Sequence, residues 1–598
     1  MLNEPTPYGP LRKHCTVPGI GGEDSVDVTY LCCFALLWRM CTTNVQYASM
    51  LHESVGIDLG RIVLYIDDVR PGNVLRPDRG RTYFAVYWQI LDLPAWHRWS
   101  MDGWLPLCFL RVSVCMGVSG GISKVIEALL ARMWSATHWN LETLGVRLPQ
   151  GSAGPARVVR FQFSALLADE KAIHEVVHCK GASGRKPCVC CNNVVGRIDA
   201  RLVPPGGGVV HFSCDDPARF RKWTAESFQE MCARLKDTAA TTTKTRLREE
   251  EMALGMTFHQ NGLVWGEMAP ILRIPETIYW DEMHCIWASG GIAQHECNMF
   301  LLEVRGAGIP WQRMEALMQS WHCGGGRHLR NFRLEQRVST AGGHMKAYAQ
   351  EMQDLVAFLA VFVRLVLRPA SILPRHARRL ELLHELQRGL RSWQGDDETM
   401  TRLQALNCLH HRYFVALYPN NVVPKLHYTV HVLECAARWG VKLDCFAAER
   451  KHKESKRLGS FAYRNLAKTL LERSALMLLA RMQHEDAVAC PKLVDSKRNA
   501  RAAGPKRAAA VATRVGIVRK GDCVLLNRPS PAAVESRIVV VSAAVQDGER
   551  FSVLAVDCQS LGGGWYQRTN TQVRVSIDSV SGVSPYLLDG ERLLCAYA

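Results

Sequence analysis

The spacing of apolar and polar positions changes character several times along the chain. TYLCCFALLWRM (29–40) has helical spacing after a polar entry. RIVLYIDDV (61–69), TYFAVYWQILDL (82–93) and PLCFLRVSVCMG (106–117) are rich in β-branched and aromatic residues and predict three strands. ISKVIEALLARMWSATHW (122–139) returns to helical spacing, and RVVRFQFSALLAD (157–169) predicts a fourth strand that ends in an acid. Strands, a helix and a further strand, with acids closing two of the strands, predict a mixed α/β core whose site lies at strand ends.

Residues 181–220 are rich in Gly, Pro and Cys and predict a loop or small metal knuckle. From 221 to 440 the pattern is mostly helical, for example in ESFQEMCARLKD, WQRMEALMQSW and ARRLELLHELQRGLRSW. The most apolar stretch there, VAFLAVFVRLVL, contains Arg364 and is too short to span a bilayer, so it predicts a buried helix and no membrane partner. Residues 441–485 predict a helical segment that completes the core, and 486–514 a basic linker with Gly-Pro. In 515–598, short Val-rich runs between Gly, Asp and Ser predict a separate all-β, barrel-like domain. Residues 1–60 stand as an N-terminal segment.

Charge adds a partner to this picture. The 598 residues carry 73 Lys and Arg against 56 Asp and Glu, a net charge of +17, and polyanionic DNA is the expected partner of such a chain. The polar, Pro-rich start MLNEPTPYGPLRKHC has no apolar signal region. The 22 cysteines are therefore expected to be reduced, a few as metal ligands and most as small buried hydrophobes.

Four motifs carry candidate chemistry. YIDDVRPGN offers Asp67 and Asp68 at the end of a strand, and Asp169 repeats that arrangement. Such acids also form ordinary solvated turns. Gathered with Glu449 of FAAERKHKESKR, they form a candidate oxygen-ligand set for Mg²⁺ or Mn²⁺. PCVCC and HFSC place Cys188, Cys191, His211 and Cys214 with the spacing of a structural zinc site; reduced buried thiols are the alternative. WDEMHC sets Asp281 and His284 three apart, either bracing a metal site or serving as a helix cap and a core histidine. Arg450, Lys453, Lys456 and Arg457 follow Glu449 on one helix, and Lys497, Arg498, Lys506 and Arg507 lie in the linker. Both sets are candidate phosphate contacts, with a solvated basic helix as the alternative for the first and a nuclear localisation signal as a further role for the second.

In order and local wording these motifs resemble the transposases of the CACTA (En/Spm) group of cut-and-paste DNA transposons, over about residues 60–480. The matching elements are Asp67 four residues before Pro71, Asp169 before KGASGRKPCVCC, Asp281-Glu-Met283-His284, and PKLHYTVH followed by Glu449-Arg450. The resemblance implies an RNase H-like catalytic core interrupted by a large, mostly helical insertion. It implies two-metal DNA cleavage and strand transfer by Asp67, Asp169 and Glu449, with Asp281 and His284 in support. It also implies a nuclear protein acting on double-stranded transposon ends and target DNA, with a homo-oligomer as a further expectation. Two rival readings are a catalytically inactive, transposon-derived DNA- or chromatin-binding protein, and a zinc-stabilised structural protein whose acids are only turn formers.

Overall fold

The computed structural model describes residues 2–597 apart from 22–24, 74–75, 78, 136–138, 150–155, 197–207, 325–326, 328, 341–342, 463, 485–487, 489–491, 495–505, 509, 514–515, 528–536 and 548–549. The chain divides into two compact units, Met1–Glu282 with Leu443–Val488, and Met283–Lys442 with Ala489–Ala598.

The first unit is built on a seven-stranded mixed sheet. Its strands are β1 (Arg12–Pro18), β2 (Ser25–Leu31), β3 (Gly60–Val69), β4 (Tyr83–Ile90), β5 (Leu105–Arg111), β6 (Phe161–Ala168) and β7 (Ile278–Trp280). They lie in the order β1-β2-β5-β4-β3-β6-β7. β3, β4 and β5 form an antiparallel meander, whereas β6 runs parallel to β3 and β7 parallel to β6. β4 is buried along its whole length, Gln89 included, as its otherwise apolar run requires. The first 60 residues, read from sequence as a helix after a polar entry, contribute two strands as well as α1 (Cys33–Thr43) and α2 (Val45–Val55). The alternating burial of β1 is carried by Cys15 and Val17 alone, too weak a period to stand out in a polar segment.

Helices α3 (Gly121–Trp134) and α4 (Glu170–Val177) pack against each other, fastened where the Ser123 hydroxyl donates to the Val176 carbonyl. α5 (Ala225–Thr241) and α6 (Lys244–Leu254) follow, so part of the expected insertion from 221 belongs to this unit. After residue 442 the chain returns with α7 (Phe446–Ser460) and α8 (Leu466–Met482); α8 packs on β5 and β2.

The second unit joins a helical layer to an antiparallel sheet. Helices Ile292–Gly306, Ala349–Phe362, Pro374–Ser392, Asp397–Leu417 and Pro424–Trp439 form the first part. Within it Glu296, Arg379 and His410 make a buried network: Arg379 Nε lies 3.0 Å from Glu296 Oε1 and His410 Nε2 lies 2.5 Å from Oε2. The run VAFLAVFVRLVL is buried as expected in Ala349–Phe362, with a π-helical turn at Val363–Leu367. Among the described residues no helix is long and apolar enough to cross a membrane.

The tail departs from expectation in two ways. β8 (Trp321–His322), β13 (Cys523–Leu526), β14 (Ile538–Asp547), β15 (Arg550–Gly562), β16 (Trp565–Ser576), β17 (Val580–Ser584), β18 (Tyr586–Asp589) and β19 (Arg592–Cys595) form the path β8-β18-β19-β16-β15-β14-β13-β17. This is an open antiparallel sheet, not a closed barrel. Both faces of β14 are covered, Val539 and Val541 by one apolar cluster and Ile538 and Val540 by another. One edge is capped from the helical segment, since β8 pairs with β18 and the rings of His322 and Tyr586 stack 4.7 Å apart. This short strand lies just before the glycines at 324–326 of the sequence. Part of the expected linker is also extended, in β9 (Lys492–Val494), β10 (Lys506–Ala508) and β11 (Ala510–Thr513), while β12 (Gly516–Arg519) pairs with β11.

Candidate metal centre

β3 and β6 bring the first two acids together. In their parallel register Ala168 lies opposite Ile66, so Asp169 and Asp67 each follow at the same end of neighbouring strands, where backbones run about 4.8 Å apart. Asp169 is also the N-cap of α4, its Oδ1 accepting the Ala172 N–H at 2.6 Å. Strand alternation then separates Asp67 from Asp68. Asp68, expected as a further metal ligand, turns to the other face and pairs with Lys171. There it helps line an open groove of about 470 Å³ together with Arg70 and Lys171.

Glu449 reaches Asp67 from α7. Its first turn is set by β7: the Tyr279 hydroxyl accepts the Leu443 N–H, and Asp281 Oδ1 accepts the Cys445 N–H, each at 2.9 Å. Asp281 is 1% exposed, so this bond is shielded from water. The rest of α7 is tied down by Tyr83 donating to Ser455, Arg81 donating to the Gly459 carbonyl, and Lys451 donating to the carbonyls of Met101 and Trp104. Burial pushes the Lys451 ammonium down to about 8.

The result is a compact group in which ligand atoms of Asp67, Glu449 and His452 all lie within 4.8 Å of one another. Tyr65, 384 residues from Glu449 in sequence, holds its hydroxyl 3.2 Å from Glu449 Oε1 and 3.3 Å from Asp67 Oδ2. One hydroxyl proton cannot fully satisfy both carboxylates. His452 Nδ1 lies 3.4 Å from Asp67 Oδ2 and 3.4 Å from Glu449 Oε2. Burial, then Glu449 and then Asp169, hold the Asp67 carboxyl well above the ordinary carboxylate range. Asp169 therefore acts on Asp67 through its field, although it is outside the 4.8 Å group. Half-buried carboxylates close enough to repel one another are what a divalent cation relieves, so the donor set fits a metal ion.

Sequence reasoning misses His452 and Tyr65. The available signal for His452 is its position three after Glu449, which puts both on one face of a helix. The basic residues of α7 divide by face. Lys451 is buried, whereas Arg450, Lys453, Lys456 and Arg457 are exposed. Arg450 also donates to the Trp99 carbonyl. Lys506 and Arg507 lie in β10, opposite Gln546 and Val545 of β14. Lys497 and Arg498 fall outside the described residues.

The expected zinc set divides. Cys188 and Cys191 are buried with their sulfur atoms within 4.8 Å of each other, but His211 and Cys214 do not join them. His211 places Nδ1 2.7 Å from the Ser213 hydroxyl and Nε2 3.0 Å from the Gly196 carbonyl, so both ring nitrogens are engaged. The Cys214 thiol faces the Asp216 carbonyl. Asn193 shapes this knuckle instead, bonding the carbonyls of Gly208 and Arg219 and the N–H of Arg221. Cys190 accepts the Trp280 indole N–H at 3.2 Å. In the second unit His284 lies half-buried in a π-helical turn, Met283–Trp287. There too the Nε2 atoms of His427 and His431 approach to 3.0 Å.

No family model matches the chain, and no curated protein matches it in sequence.

Proposed function

We propose that this protein is a metal-dependent DNA strand-cleaving and strand-transferring enzyme of the CACTA transposase type, with an RNase H-like core. The observation that carries the reading is the meeting of Asp67 and Glu449, from opposite ends of the first unit's sequence, beside Asp169 at the ends of two parallel strands. An antiparallel meander that continues into parallel strands, with acids at the ends of two neighbours and a third on a returning helix, suits such a core.

In this reading Asp67, Asp169 and Glu449 hold Mg²⁺ or Mn²⁺, which when bound supplies Lewis-acid stabilisation of the charge on the reacting phosphate oxygens. Tyr65 orients Asp67 and Glu449 through its hydroxyl. Asp281 sets the entry of α7 and with it the direction of Glu449. The exposed Arg450, Lys453, Lys456 and Arg457 grip the phosphate backbone of double-stranded DNA next to the carboxylates. Water attacks a phosphodiester and displaces its 3′-oxygen, and the freed 3′-hydroxyl then attacks a phosphodiester of the target DNA, displacing the 3′-oxygen of the target strand. Action on DNA in this way belongs in the nucleus.

The test is nicking of supercoiled DNA with Mg²⁺ or Mn²⁺ present, alongside a DNA-binding assay. Asp169→Asn should abolish nicking and leave binding largely intact. Nicking by that variant at the wild-type rate would refute the proposal.

A further inference from the structure

We propose that His452 is itself a ligand of the divalent ion, so that the centre is a mixed nitrogen–oxygen site favouring Mn²⁺ over Mg²⁺. The inference rests on the metal-dependent reading above and names the ion and the extra ligand.

His452 sits one turn after Glu449 on α7, with its side chain 2% exposed. Its Nδ1 is 3.4 Å from one oxygen of each carboxylate. That is longer than a strong charge-assisted hydrogen bond, about 2.7–2.9 Å. It is close to the edge of an octahedron around a small divalent ion, where bonds of about 2.1 Å put neighbouring ligands about 3 Å apart. The far side of the ring is apolar. Nε2 is buried with no hydrogen-bond partner among the described residues, and the rings of Tyr65 and Tyr87 lie 5.7 and 6.0 Å away by centroid. Nδ1 alone therefore faces the polar groups.

Nδ1 and one oxygen from each carboxylate thus converge on one point, where a divalent cation would take all three as ligands. Imidazole suits the first-row transition ions, whereas Mg²⁺ is held by oxygen and keeps much of its water. An all-carboxylate centre would show no such preference from its ligands.

Pulsed electron paramagnetic resonance on the full-length protein loaded with Mn²⁺ reads the bond directly. A nitrogen bound to Mn²⁺ gives ¹⁴N modulation, which changes to the ¹⁵N pattern when histidine alone is labelled. The signal should vanish in Asp67→Asn, which identifies the site, and in His452→Gln. Competition between the ions should show His452→Gln losing about tenfold in Mn²⁺ affinity with Mg²⁺ affinity changed far less. If His452→Gln does not fold, isotope labelling of the wild type still decides the question. Mn²⁺ that depends on Asp67 but shows no histidine nitrogen overturns the inference, and so does an unchanged preference between the ions in His452→Gln. Histidine coupling in a protein that never nicks DNA would uphold the ligand and refute the proposed activity, so the two failures are distinct.

Discussion

Replacing Asp67 with Asn should stabilise the metal-free protein, flatten its pH dependence and remove its response to divalent ions. Asn keeps an oxygen at the Oδ1 position to accept the Asp68 N–H, and at the Oδ2 position it puts an NH2 that donates to the Tyr65 hydroxyl, whose own proton then goes to Glu449, so the local geometry survives. What is lost is charge. Asp67 and Glu449 hold carboxylate oxygens within 4.8 Å, a repulsion of about 3.5 kcal/mol at an effective dielectric near 20. Glu449 keeps 33% of its side-chain exposure, and screening by that solvent reduces the figure to about 1–2 kcal/mol. An acid whose folded pKa lies above its unfolded value stabilises the fold below the unfolded value, and that contribution is lost as pH rises through the folded one. Asp67 is such a group, raised by burial first and by Glu449 next. Metal-free wild type should therefore lose stability as pH climbs from about 4, at no more than about 1.4 kcal/mol per pH unit for this proton. Urea unfolding in chelator across that range, repeated with Mn²⁺, measures it. The variant should lack this component of the slope and gain nothing from Mn²⁺. A variant less stable than wild type at neutral pH in chelator, or one with the full slope, would refute the reasoning.

Three other outcomes follow from the geometry. Asp281→Ala should weaken Mn²⁺ binding by freeing the entry of α7, while Asp281→Asn, which keeps an acceptor for the Cys445 N–H, should largely retain it; calorimetry on both separates an acceptor role from a charge role. Glu296→Ala should cost about 3–5 kcal/mol in urea unfolding, because it leaves Arg379 charged in a network where both side chains are fully buried. Burial alone would raise the Glu296 carboxyl, but Arg379 and His410 hold it below the ordinary range, so the wild-type network should weaken only as pH falls through that lowered value. Neutralising Lys453, Lys456 and Arg457 together should weaken DNA binding alike for unrelated sequences and reduce the salt slope by about 0.9 for each phosphate that is no longer neutralised; an unchanged slope would mean this exposed face is merely solvated.

What could be read from the sequence and what could not divide along a physical line. RIVLYIDDV was legible as a strand because a run buried on both faces needs continuous apolar residues, and its closing acids could be placed from that run. The neighbour of that strand could not, because register depends on backbone pairing across almost a hundred intervening residues. The tail shows the same division. Val-rich runs announced strands correctly, yet closure into a barrel depends on stagger and on what meets the edge, and the edge is met by Trp321 and His322 from a distant segment.

Helix α7 is the sharpest case. By composition FAAERKHKESKR is a uniformly basic, solvated helix. In place it has an inward face of Ala447, Ala448, Lys451, His452, Ser455 and Gly459. Lys451 and His452 are adjacent in sequence and equally polar, yet one ties the loop at Met101 and Trp104 to the helix while the other faces two carboxylates. Nothing in their local pattern separates those roles, because what separates them is the sheet against which the helix lies. A centre assembled from β3, β6 and a helix that returns after residue 442 is therefore visible in sequence only as scattered acids, and the groups that complete it emerge once the strands that carry them are neighbours.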